Sequence, residues 1–276
     1  MKKIKKIIKW VYFKLCRYSG YIDGIIFTIL FFNLRNKTKY SILILAIAIY
    51  CFYRAIKYSW KCWNSKNIIR YDAYNSRIQV IEGANGRGKS SFMWFSSSVL
   101  GTPVLSNVPA KVNNKFVYCL NKDHLHLIEE IPEYSTVCLD ELSLFWNNTD
   151  KVNYYDIEIL LQLCRHFFDG NFYLSTIKAS RIPQQIREKV SMCKMMLGQE
   201  TKQQSLFTLS FLNLFRRFFG LKYKIGVRIW TYQDFEEIDH ENYTFDLANQ
   251  TKDTINNKFS NLVECCAYSD TTNFFI

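Results

Sequence analysis

The chain has 276 residues, 49% of them hydrophobic and 17% aromatic, which is ample for one main core with an appendage. Its formal net charge is +12, and much of the excess sits near the N-terminus, so an anionic membrane surface is a better first partner than nucleic acid. Nine scattered cysteines, with no CxxC pair and only Cys265 and Cys266 adjacent, argue against a disulfide framework or a zinc ribbon and suit a reducing compartment.

Residues 1–17, MKKIKKIIKWVYFKLCR, intersperse Lys2, Lys3, Lys5, Lys6, Lys9, Lys14 and Arg17 with Ile4, Ile7, Ile8, Trp10, Val11 and Phe13. This is the pattern of a basic amphipathic helix on an anionic bilayer. A signal peptide would want an AxA-like cleavage site after it, and none follows. Two apolar stretches come next, 21–34 with Asp23 as its one charge, and 40–53, joined by Arg35-Asn36-Lys37-Thr38-Lys39. Basic residues are dense before the pair, sparse between and dense again after it at Arg54, Lys57, Lys61, Lys66 and Arg70, which predicts a hairpin with both ends in the cytoplasm. A single span with the first stretch lying in the interface, or a buried hairpin of a soluble protein, would use the same residues.

Residues 77–91, RIQVIEGANGRGKSS, read as a short strand running into a glycine-rich loop and then a helix. The match to GxxxxGK[ST] is complete: Gly83, then Ala84, Asn85, Gly86 and Arg87, then Gly88, Lys89 and Ser90, followed by Ser91. Positive φ at the three glycines would turn N–H groups inward to cradle phosphate oxygens at a helix N-terminus. Lys89 would reach the β- and γ-phosphates, and the Ser90 hydroxyl would hold Mg²⁺. The bland reading is a glycine-rich turn that happens to contain Lys-Ser.

The next strand expected is 103–107, PVLSN, after a helix over 91–100 that stops at Gly101. A helix is expected over 123–131, where His124 and His126 stand two apart and so do not share a helical face for a metal. Residues 136–141, TVCLDE, form an apolar run ending in two carboxylates, as a buried parallel strand does where an open α/β sheet places its ligands. Asp140 would bind Mg²⁺ through water beside Ser90, and Glu141 would polarise the attacking water. Alone, the pair could equally open a helix. Phe145-Trp146-Asn147-Asn148 reads as an active-site loop or a surface turn.

Ile157, Leu160, Leu161, Cys164 and Phe168 recur at helical intervals over 154–168 and should cover one sheet face. Residues 171–176, NFYLST, are a strand whose terminal Thr176 lies where P-loop ATPases keep a polar residue that senses the γ-phosphate. A short helix is expected over 181–189 with Arg187 exposed, and a strand over 190–197. Strand and helix alternate as in a parallel sheet covered on both faces. From residue 201 the chain is hard to read: 206–211 and 225–232 alternate partly and could be strands, 206–219 could instead be an amphipathic membrane-contacting helix, and beyond 241 no motif emerges.

The order of P-loop, VLSN, CLDELSLFW, LCRHFFDGNFYLST and RIPQQIREKVSMCKMM resembles the zonula occludens toxin-like family of filamentous phages across roughly residues 76–200. The resemblance implies a membrane-anchored P-loop ATPase akin to the FtsK-HerA class that drives virion assembly and extrusion. In the best-known members the spanning helix follows the ATPase, whereas here the apolar segments precede it; the toxin segment has no counterpart. Enzymes of this kind commonly take an arginine from a neighbouring subunit, for which Arg165 and Arg187 are the candidates.

The expectation is therefore an α/β P-loop NTPase with a mostly parallel sheet covered by helices, preceded by a membrane-anchoring helical region. Its domains would be 1–70, 71–205 and 206–276, with ATP and Mg²⁺ as cofactors. The expected setting is the host cell membrane, with the ATPase domain cytoplasmic. Partners would be that membrane, further copies of the chain, and a phage coat protein or nucleoprotein, with direct nucleic-acid contact in the alternative of a DNA-translocating motor. A nucleotide-switched membrane scaffold is the alternative from outside the enzymes.

Overall fold

The structure is a computed structural model and describes residues 2–37, 40–108, 111–112, 115–116, 118–119, 131–142, 157–162, 169–179, 182–214, 226–235 and 262–268. Two long helices come first, α1 (Lys2–Leu34) and α2 (Ser41–Asn75). There follow β1 (Ile78–Glu82), α3 (Lys89–Leu100), β2 (Val104–Ser106), β3 (Lys111–Val112), β4 (Lys115–Phe116), β5 (Tyr118–Cys119) and β6 (Thr136–Leu139). A helix described over 157–162 is α4. The chain continues with β7 (Asn171–Thr176), α5 (Gln184–Arg187), β8 (Met192–Lys202), α6 (Thr208–Leu214), β9 (Val227–Phe235) and β10 (Val263–Tyr268). Strand order is β10-β9-β8-β1-β7-β6-β2-β5, and β3 pairs separately with β4.

The chain divides into two compact units, one of Met1–Ser65, Glu200–Ile229 and Cys265–Thr272, the other of Lys66–Gln199, Trp230–Glu264 and Asn273–Ile276. The second unit holds the parallel ladders β8–β1, β1–β7, β7–β6, β6–β2 and β2–β5. β1, β2, β6 and β7 are buried along their whole length, and the polar residues they carry, Gln79 and Glu82 in β1 and Asn171, Ser175 and Thr176 in β7 among them, are buried with the apolar ones. One core cluster joins Val80, Val137, Leu139, Phe172 and Leu174 to Ile157, Leu160 and Leu161 of α4 and Ile186 of α5. A second aromatic layer sits on α3: Phe95 stacks on Trp230 with centroids 5.1 Å apart, and Phe92 meets both Trp230 and Tyr232.

Lys194 lies in the middle of β8, where a lysine looks out of place. It is 1% exposed, and its Nζ is 2.6 Å from Asp72 and 2.8 Å from Asp234, over the Tyr232 ring. A buried ammonium is tolerable only with such partners, and removing either would strand the rest.

In the first unit α1 joins the basic segment and the first apolar stretch into one helix. Gly20 and Gly24 do not interrupt it, because they are its contact points with α2: a Cβ on Gly20 would come 3.0 Å from that of Ala55, and one on Gly24 would come 2.8 Å from the Phe52 ring. Ala48, Cys51, Ala55, Cys62 and Ser65 of α2 are buried at matching helical spacing. By length and composition both helices suffice to cross a membrane.

Three expectations are corrected here. Of the two readings of this stretch the strand over 206–211 fails and the helix holds over Thr208–Leu214, because Asp23, distant in sequence, accepts the N–H groups of Leu206, Phe207 and Thr208. β8 runs on to Lys202 instead of stopping at 197. The tail beyond 241 contains β10, whose Cys265, Cys266 and Ala267 are buried.

Candidate functional site

The site grows from the end of β1. The Gly83 N–H donates to the Thr176 carbonyl at 3.2 Å, and at φ 152° the chain passes so close to β8 that an added Cβ would lie 2.9 Å from the Met196 carbonyl oxygen. Gly88, at φ 91°, is the N-cap of α3, and a Cβ there would fall 2.4 Å from Gln199 Oε1. Gly86, at φ 81°, faces open space. Two glycines therefore permit close packing and the third shapes the crest of the loop. Between them Ala84 accepts the Arg87 N–H at 3.3 Å, while Asn85 is exposed. Among the described residues no side chain caps α3, which leaves its first amides and positive dipole end to an anion.

Lys89 is buried, and its Nζ has one long contact, 3.4 Å to the Ala84 carbonyl. Burial pushes its pKa below the usual lysine value, with Glu141 and Asp140 pulling it back up. Beside it the Ser90 hydroxyl donates to Asp140 Oδ1 at 3.0 Å, so the two motifs read separately from the sequence converge on one point.

Asp140 is held from three sides. Ser175 of β7 donates its hydroxyl to the same Oδ1 and accepts the Glu141 N–H at 2.9 Å. Asn107, just past β2, accepts the Asp140 N–H at 2.8 Å and donates to the Asp140 carbonyl at 2.7 Å. Glu141 is half-buried in a left-handed conformation, φ 51°, an uncommon and costly state for a glutamate of the sort that clusters at functional sites.

Other candidates are placed differently. Thr176 anchors the loop through its carbonyl, and its hydroxyl donates to the Lys178 carbonyl at 3.2 Å; the hydroxyl of β7 that reaches Asp140 is that of Ser175. Arg87 Nη1 donates to the Leu197 carbonyl at 2.7 Å. Ser91 donates to Gln199 Oε1 at 2.5 Å and to the Gly88 carbonyl at 2.9 Å, and Trp230 Nε1 donates to both Ser91 and Gln199 at 3.1 Å. Glu82 is buried and accepts the Ala179 N–H at 2.7 Å; burial raises its pKa above the usual carboxylate range.

Arg187, expected to stand exposed, is half-buried at the end of α5, because the helix lies down on the core through Ile186. Arg165, His124, His126 and Phe145 to Asn148 lie outside the described residues. Asp169, which follows Arg165 and His166, pairs with Arg77 at 3.0 Å.

The loop, with its uncapped helix and under-compensated buried ammonium, fits a polyanion such as a nucleotide polyphosphate. Ser90 and Asp140 supply hard oxygen donors of the kind Mg²⁺ takes. Sequence reading missed Gln199 and Trp230, for which no local signal exists. For Asn107 and Ser175 the signal was the polar end of an apolar strand.

No family model and no curated protein matches the sequence. Among solved structures the chain is similar to the N-terminal domain of zonular occludens toxin from Neisseria meningitidis, at 15% identity and TM-score 0.35 over 59% of this chain and 85% of that one. It is also similar to the genome packaging NTPase B204 from Sulfolobus turreted icosahedral virus 2, at 14% and 0.35 over 59% and 98%. A third is flagellar accessory protein FlaH from Methanocaldococcus jannaschii, at 12% and 0.35 over 58% and 78%.

Proposed function

We propose that the chain is a membrane-anchored ATPase that hydrolyses ATP with Mg²⁺ and uses the energy to drive filamentous phage assembly and extrusion through the host membrane. The observation that carries the enzymatic part is the Ser90–Asp140 contact, which joins the phosphate loop to the acidic strand end beside a buried Lys89. The phage part rests on the motif order of residues 76–200 and on the two apolar helices ahead of it.

In this reading Lys89 and the loop amides bind the phosphates, Ser90 and Asp140 hold the cation, and Glu141 accepts a proton from the attacking water. Mg²⁺, when bound, neutralises charge developing on the phosphate oxygens. Ser175 and Asn107 keep Asp140 in place. Arg165 or Arg187 of another copy would complete the site, which makes the working form a homo-oligomer. The ATPase unit faces the cytoplasm, where ATP is, and the extruded coat protein or nucleoprotein is the cargo.

The test is ATP turnover and binding by the full chain in lipid nanodiscs. Lys89→Ala and Glu141→Gln should both lower turnover by about a thousandfold or more, and only Lys89→Ala should weaken ATP binding, by roughly tenfold or more. Equal loss of binding in both variants would overturn the assigned roles. Turnover stimulated strongly by DNA, with a steep salt dependence, would replace the extrusion motor with a DNA translocase.

A further inference from the structure

We propose that residues 203–214 are a re-entrant, lipid-embedded element in the cytoplasmic leaflet, with Phe207 at its deepest point and Phe211 and Leu214 on its lipid face. This rests on the reading that the α1–α2 hairpin crosses the bilayer. The partner is the acyl-chain region of the membrane itself.

The first argument is depth. The turn between α1 and α2 carries Arg35 and Lys37, which belong at the far headgroups of a spanning hairpin. From that turn back to Asp23 the helix residues 24–34 rise about 16 Å, and residues 41–53 of α2 rise about 20 Å to Arg54. The hydrocarbon core is roughly 30 Å thick. Asp23 and Arg54 both hold the chain segment that leads into α6. That segment therefore lies inside the near leaflet.

The second argument is how the segment meets the condition lipid imposes, that backbone polar groups find partners within the protein. Asp23, 1% exposed, accepts the Leu206, Phe207 and Thr208 N–H groups at 2.7, 2.9 and 3.0 Å and the Thr208 hydroxyl as well. Arg54 Nη2 donates to the Gln203 carbonyl at 2.5 Å. Gln204 turns inward and donates to the Cys16 and Arg17 carbonyls, each at 2.6 Å. The Tyr12 hydroxyl takes the Leu212 carbonyl farther back along α1, so α6 runs from the depth of Asp23 toward the N-terminal end.

The third is the outward face. Phe207, Phe211 and Leu214 are 62%, 61% and 76% exposed at helical spacing. The face is continuous with that of the anchor: the Phe207 ring lies 5.5 Å from the Phe27 ring of α1, next to exposed Ile26, Ile29 and Leu30. Arg216, Arg217, Lys222 and Lys224 follow in sequence, a cluster of cations of the kind that suits an anionic headgroup layer.

The test adds one cysteine at a time, at Phe207, Phe211 or Leu214 of the full chain in anionic liposomes, with a charged, membrane-impermeant maleimide on both sides of the bilayer, and reads labelling at that position by peptide mass spectrometry, apart from the nine native cysteines. Ile29→Cys reports the anchor and Glu200→Cys reports water. Phe207→Cys and Phe211→Cys should label about tenfold or more slower than Glu200→Cys, and all should label fully in SDS. Labelling of both at the Glu200 rate, with Ile29→Cys still protected, would overturn the re-entrant element and leave the anchor standing. Fast labelling of Ile29→Cys too would overturn both. Disulfide cross-linking of Phe211→Cys between chains under mild oxidation would assign the face to a second copy and overturn lipid as its occupant.

Discussion

Asp23 and Asp140 are both buried carboxylates, one in each compact unit, and each collects hydroxyl and amide neighbours. Asp23 has both oxygens taken, by three backbone N–H groups and one hydroxyl. It is a cap, and its charge is spent on holding α6 against α1. Among the described residues Asp140 takes two hydroxyls, both on Oδ1, next to a lysine whose ammonium has only a 3.4 Å contact and a helix end with no side-chain cap. A carboxylate saturated by its own protein is architecture, whereas one with lone pairs to spare among under-compensated groups is a site.

The comparison breaks most visibly at Asp140. Asp140→Asn should keep the fold, with stability changed by about 1 kcal/mol or less, and lower Mg²⁺-dependent turnover by about a thousandfold. Asp23→Ala should do the reverse, costing about 3 kcal/mol because four part-buried donors lose their acceptor. Thermal unfolding together with protease cleavage near residue 207 would show it, and full stability of this variant would show that Asp23 is not the cap described. Ser175→Ala sharpens the contrast from the other side. Loss of one positioning hydroxyl should lower kcat roughly tenfold to a hundredfold with KM little changed.

The smallest effect is at Glu82. Burial raises its native pKa above the unfolded value of 4.5, so the stability it favours is complete below that value and is lost as pH rises through the raised native one. Glu82→Gln keeps an acceptor for the Ala179 N–H and has no proton to lose. Melting temperatures taken between pH 5 and 8 should therefore fall less for the variant than for the wild type.

Much of the candidate site was legible in the amino-acid order. GANGRGKS is a run of consecutive residues whose chemistry depends on local backbone geometry, and Gly83, Gly86 and Gly88 do take positive φ. TVCLDE and NFYLST were legible as strands because each has an apolar centre, VCL and FYL, of the kind that parallel strands buried on both faces carry. Which hydroxyl of NFYLST faces Asp140 was not legible. Ser175 and Thr176 are adjacent, successive side chains of a strand point to opposite faces, and only the pairing of β7 with β6 and β1 sets which is which. Gln199 and Trp230 carry no motif and meet Ser91 through the packing of β8 and β9.

The sequence by itself determined the glycine-rich loop, its acidic partner strand, the alternation of strand and helix between them, and the two apolar helices, all properties of short contiguous segments. Tertiary structure alone decided what depends on residues far apart in the chain. Asp23 makes a helix of a stretch that also alternates like a strand, and Asp72 and Asp234 make room for Lys194 in a core strand. The physical reason is the same in each case: a buried charge or an unpaired amide is too costly to leave alone, and its partner is supplied by the fold rather than by its neighbours in sequence.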